Sequence, residues 1–151
     1  MRCLRIAQIL VPVLFLYTIA KSQTFTASVE TGYSVNHMAV AGFTAGLNFK
    51  YFGIRTGMDA QLSDKTDDRV AFNTLLIHTF NIGEKFYGTA GIGDAYLFRS
   101  TDNKSLNSNR LLLNPEIGYK LEFKGQPFAL YFGYMKAGDL TMIVSGIRGY
   151  F

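Results

Sequence analysis

The 151-residue chain carries 15 Lys and Arg against 11 Asp and Glu, with 15 glycines, 13 phenylalanines, nine tyrosines and one cysteine. Three of the basic residues, Arg2, Arg5 and Lys21, lie in a leader-like segment. Without them the balance is 12 basic to 11 acidic residues, which excludes the basic patch that nucleic-acid binding requires. The lone Cys3 sits in the same segment, so the rest of the chain supports no disulfide, thiol chemistry or cysteine metal site.

In chain order, the first element is a secretory signal over residues 1–22. It has a basic start at Arg2 and Arg5, an apolar stretch from Ile6 to Ala20, and an A-x-S cleavage form at Ala20-Lys21-Ser22. The stretch is too short to span a bilayer. The mature domain is expected to run from Gln23 to Phe151 as one closed unit.

From Gln23 onward the residues alternate with a period of two, the mark of strands with two unlike faces. Segment one sets Phe25, Ala27, Val29, Thr31, Tyr33 and Val35 against Thr24, Thr26, Ser28, Glu30, Gly32 and Ser34. Segment two sets Ala39, Ala41, Phe43, Ala45, Leu47 and Phe49 against Gly42, Thr44, Gly46, Asn48 and Lys50. In the third, Ile54, Thr56, Met58, Ala60 and Leu62 oppose Gly53, Arg55, Gly57, Asp59 and Gln61.

Segments four (Val70 to Ile82) and five (Phe86 to Phe98) are less regular. Leu75 and Ile77 fall on the polar face, His78 lies among apolar neighbours, and Asp94 shares a face with Ala90 and Ile92. A bulge near Gly91 and Gly93 would re-aim Asp94. Alternation returns in the sixth, with Leu111, Leu113, Pro115, Ile117, Tyr119, Leu121 and Phe123 opposite Arg110, Asn114, Glu116, Gly118, Lys120 and Glu122. In the seventh, Phe128, Leu130, Phe132 and Tyr134 oppose Ala129, Gly133 and Met135. The eighth, Leu140 to Phe151, is again mixed and closes on an aromatic.

Short links favour antiparallel hairpins. The outer loops are expected at Asn36-His37, Ser63 to Asp68, Ser100 to Asn109 and Lys136 to Asp139. The inner turns are expected at Lys50 to Gly53, Ile82 to Lys85 and Lys124 to Pro127. The fold expected is an all-β, eight-stranded antiparallel up-and-down barrel.

Which face points outward follows from composition. A soluble exterior is about 25–35% charged, whereas this chain is 17% charged and its polar faces are mostly Gly, Ser, Thr and Asn. Such small residues fill a narrow lumen well, and the glycines leave room for long side chains from facing strands. The apolar face is therefore expected to meet lipid. Its interfacial girdles would be Phe25, Tyr33, Phe49, Tyr51, Phe52, Phe86, Phe98, Tyr119, Phe123, Phe128, Tyr134 and Phe151.

The stretch beginning at Phe72 and running through Phe-Asn-Ile-Gly-Glu-Lys-Phe-Tyr-Gly, together with Glu116 to Phe123 and Arg148-Gly-Tyr-Phe151, resembles the small outer-membrane β-barrel proteins of Bacteroidota, the PorT-like or OmpX-like group. That resemblance implies outer-membrane residence and an adhesive or envelope-maintenance role, or, on the PorT-like side, participation in protein export.

An eight-stranded barrel is just filled by its own side chains, so no large solute should pass. Inward charges are Glu30, Asp59 and Glu116 against Arg55, Lys120 and Arg148, expected to form a neutralised network. Glu30 and Arg148 are expected to pair across the seam between first and last strands.

For chemistry, a lipid-modifying enzyme at the outer rim would need a nucleophile and base, for which Ser34 and His37 are the candidates. Gly88 to Gly93 is no nucleotide loop, since no helix follows, and Asp64 to Asp68 lacks calcium-loop spacing. The expectation is a monomer without cofactor. Its partners would be outer-membrane lipid, the barrel-assembly machinery at Phe151, and an extracellular partner at the Ser100 to Asn109 loop.

Overall fold

A computed structural model describes residues 23–35, 39–62, 69–101 and 104–151, with side chains described outside 99–107. The signal segment 1–22, the Asn36-His37 loop and the Ser63 to Asp68 loop lie outside the described residues. Eight strands follow one another: β1 Thr24–Ser34, β2 Ala39–Asn48, β3 Phe52–Leu62, β4 Arg69–Asn81, β5 Phe86–Thr101, β6 Lys104–Phe123, β7 Gln126–Ala137 and β8 Leu140–Tyr150. Each pairs antiparallel with its sequence neighbour, and β8 pairs with β1 to close the barrel. Reciprocal backbone bonds between Phe25 and Phe151, 3.1 and 2.8 Å, fasten the seam at one rim, and Val35 N–H donates to Thr141 O at 2.9 Å near the other. Closure leaves no edge strand in the barrel wall itself.

The registers fix the tilt. Followed one way from Val29, hydrogen-bonded partners run through Phe43, Met58 and Phe72 to Tyr96. The other way they run through Ile147, Leu130 and Tyr119 to Phe86. The two routes meet on β5 ten residues apart, and this stagger demands strands inclined at about 40° to the axis. Between Phe25 and Tyr33 on β1 the outward face then rises about 20 Å, close to the ~25 Å apolar band of membrane barrels.

Outward positions are mostly apolar and solvent-exposed on every strand, for example Val29 at 68%, Ile54 at 52%, Phe132 at 54% and Ile147 at 53%. In β4 and β5 the alternation is regular, and no bulge intervenes: Thr74 pairs with Asp94 and Leu75 with Gly93 in an unbroken ladder. Asp94 therefore stays on the outer face, and Leu75 and Ile77 turn inward at 1% exposure each. His78 faces outward between the rings of Phe52 and Phe80, at 4.9 and 6.4 Å.

The connections are tighter than the sequence implies. Lys124 and Gly125, both at positive φ (52° and 78°), make a two-residue turn between β6 and β7, and Gly138 (φ 64°) with Asp139 does the same between β7 and β8. Such turns match the twist of the strands they join. The expected loop Ser100 to Asn109 is mostly strand instead. β5 and β6 keep pairing through Ser100 with Ser105 and Thr101 with Lys104, so a 16- and a 20-residue strand form a ribbon beyond the rim. Its polar, turn-like composition reads as a loop although its backbone stays paired.

Candidate functional site in the barrel interior

Inward positions converge on one carboxylate. Glu116 on β6 lies opposite Thr89 of β5 and Gly133 of β7, and the absent side chain at Gly133 leaves it space. Arg148 from β8 grips it as a fork, Nη1 donating to Oε2 at 2.9 Å and Nη2 to Oε1 at 3.2 Å. Arg55 from β3 donates to Oε1 through Nη1, and Thr89 Oγ1 donates to Oε2 at 3.1 Å. All three charged side chains are 2–3% exposed. Burial of charge at this depth is tolerated because every lone-pair direction of the carboxylate meets a donor.

The network extends through aromatic groups. The Arg148 guanidinium lies 4.2 Å from the Tyr131 ring centroid, and Nη1 also donates to the Tyr87 hydroxyl at 3.4 Å. Tyr131 in turn donates its hydroxyl proton to Glu30 Oε2 at 2.6 Å. This corrects the expected seam pair. Register sets Ser28, not Glu30, opposite Arg148, and the long guanidinium arm crosses to Glu116 while Glu30 takes a neutral phenol. Lys120 also departs from expectation: it is exposed at the lower mouth, the rim bearing Thr24 and Tyr150, where Nζ donates to Asn81 Oδ1 at 2.9 Å. Tyr87 and Tyr131 escaped the sequence reading because an aromatic on an apolar chain reads as lipid-facing. The signal available was the pairing of each with an inward glycine, Gly118 and Gly146, whose backbones would collide with these rings if they bore a Cβ.

Glu30 and Asp59 both flank Gly42 on β2, and their carboxyls are neighbours. Asn73 Nδ2 donates to Asp59 Oδ2 at 2.7 Å, which leaves Glu30 Oε1 and Asp59 Oδ1 each without a donor. No donor lies between these two facing oxygens, and a donor placed there would satisfy both. Asp59→Asn places an amide N–H there permanently and keeps an acceptor for Asn73. Its unfolding free energy should equal the parent's or exceed it by up to about 1 kcal/mol. Urea titration of the refolded variant checks this, and a loss of about 2 kcal/mol or more would contradict the need for a donor at that position.

Above the acid pair the lumen is apolar, not small and polar as expected. Val40, Ala71, Ala95, Leu112, Met135, Ala137, Leu140 and Met142 pack into one buried cluster, with Gln61 Nε2 donating to Met142 Sδ at 3.1 Å. Of the rim candidates, Ser34 ends β1 buried at 6%, and His37 lies outside the described residues. Among the described residues no three His, Cys, Asp or Glu side chains gather as a metal site.

The aromatic candidates divide between the rims. Phe25 with Phe151 (6.2 Å) and Phe86 with Tyr119 (4.8 Å) lie at the lower rim, where Phe49, Tyr51, Phe123 and Phe128 also sit. Tyr33 and Tyr134 lie toward the upper one, near which Phe98 packs with Phe72 and Tyr96 at 5.6 and 4.6 Å.

No family model matches the chain, and no curated protein does. Solved structures do. The N-terminal β-barrel domain of Pseudomonas aeruginosa OprF is similar at a TM-score of 0.61 and 10% identity, over 85% of this chain and 97% of that one. Neisserial surface protein A is similar at 0.53 and 10%, over 85% and 96%. Ail, the attachment invasion locus protein of Yersinia pestis, is similar at 0.51 and 14%, over 85% and 95%. A de novo designed transmembrane β-barrel reaches 0.62 at 15% identity, over 85% and 95%. The chain thus has the fold of the small eight-stranded transmembrane β-barrels.

Proposed function

We propose that the chain is an integral outer-membrane protein with a filled, non-conducting lumen, and that it serves the cell surface as a structural or adhesive element. The observation that carries this is the inversion of the two faces: exposed apolar side chains on all eight strands surround an interior of buried, hydrogen-bonded charge. Only a lipid surround rewards that arrangement, because water would leave the outer belt unsolvated. The long excursions of such barrels lie outside the cell, and on that rule the β5–β6 ribbon, with the short Gly138-Asp139 turn at the same end, is outside and Lys124-Gly125 faces the periplasm.

Two layers close the bore in series, the Arg55–Glu116–Arg148 cluster and the apolar packing around Leu112 and Met142. Reconstituted in planar bilayers, the protein should give no discrete conductance steps, and regular steps in a folded preparation would overturn the filled lumen. The adhesive role rests on the ribbon, which is held on a rigid scaffold and is free of the lipid band. Ail's own name ties that similar barrel to attachment. Replacing residues 99–106 by a short turn should leave the barrel folded and reduce surface attachment of cells that display it. Undiminished attachment would remove the adhesive reading.

A further inference from the structure

At the lower mouth the lumen opens into a cavity of about 420 Å³. Four cations line it, Lys50, Arg55, Lys120 and Arg148, and no carboxylate does. Glu116, behind the wall, offsets one of these charges, so the lining keeps a net positive charge. Both guanidiniums are nine-tenths buried or more, and each keeps an Nε–H with no partner. Lys120 spends one donor on Asn81, leaving two of the three its ammonium carries. The donors come from separate elements, β3, β6, β8 and the β2–β3 turn, and so approach from several sides. A planar carboxylate is satisfied by one guanidinium fork, whereas a tetrahedral phosphate group accepts from donors in many directions. The volume falls near the small end of ligand sites, about 300–1,000 Å³, and Ile77 and the Tyr87 ring give it an apolar wall.

We propose that this mouth is a binding site for a phosphate monoester or diester group, held by Arg55, Arg148, Lys120 and Lys50. Two sources share that chemistry: a free organophosphate of the periplasm and the headgroup of a phospholipid in the facing leaflet. The test is done on the folded barrel in octyl glucoside, a detergent without phosphate.

Calorimetric titration with glycerol 3-phosphate and, separately, with dihexanoylphosphatidylglycerol should show saturable one-to-one binding for at least one probe, and none for glycerol. Binding of glycerol 3-phosphate assigns the site to free solutes; binding of the short-chain lipid alone assigns it to headgroups. The double variant Lys50→Gln, Lys120→Gln should bind about tenfold more weakly and keep the heat-dependent gel mobility of a folded barrel. A readout that needs no variant is the Nε–H resonances of Arg55 and Arg148, which should shift on titration. Absence of saturable binding by both probes, affinity unchanged in the folded double variant, or binding that leaves both Nε–H resonances in place would each overturn the proposal.

Discussion

Glu116→Gln should lower the unfolding free energy by about 3–5 kcal/mol, the cost of leaving buried charge without its counterion. The substitution keeps the shape of the side chain and removes only its charge, yet it strands two guanidiniums that are 2–3% exposed. An amide can accept at one atom alone, so only one arm of the Arg148 fork can persist. Arg148→Met should cost less than Glu116→Gln, because Glu116 retains Arg55 and Thr89 as donors. Urea unfolding in lipid vesicles, followed by gel mobility, gives both values. Equal stability of Glu116→Gln and the parent would show that the cluster is not the interior's electrostatic centre.

Val29→Arg should cost about 2–4 kcal/mol in a bilayer, the penalty for a cation on the lipid face near mid-depth. Val29 sits in the middle of β1, is 68% exposed, and pairs with Phe43 and Ile147, both outward. The same change on a water-bathed barrel would be nearly neutral, since no contact is lost and a charge at an exposed site is solvated. Vesicle-based unfolding of Val29→Arg beside Val29→Ala separates the effect of charge from that of lost side-chain volume.

Much of this architecture is legible in the residues, and the failures have physical causes. β1, β2, β3 and β6 declare their faces because their inward positions are mainly Gly, Ser, Thr, Asn or charged. β4 and β8 do not, because Leu75 and Ile77, and Leu140, Met142 and Val144, are inward yet apolar. Once part of the lumen is filled by hydrocarbon, both faces of a strand want the same residue types and the period of two fades. The members Glu30, Arg55, Asp59, Glu116 and Arg148 are all readable as inward charges. Their partners are not. Arg148 ignores the strand beside it and reaches β6, and such a choice depends on barrel stagger and side-chain length, which no local pattern encodes. The ribbon is illegible for the opposite reason: Ser100 to Asn109 carries turn-like residues on a stretch where strand pairing continues.

The claim on which the rest depends is that the outer face of β1 lies in hydrocarbon. The chain contains no tryptophan, so Val29→Trp gives a single fluorophore at the middle of that face. In vesicles of lipids brominated at different depths along the acyl chain, its emission should be blue-shifted and quenched most by bromine near the bilayer centre. Emission at the wavelength of water-exposed tryptophan, indifferent to bromine at every depth, would contradict the account.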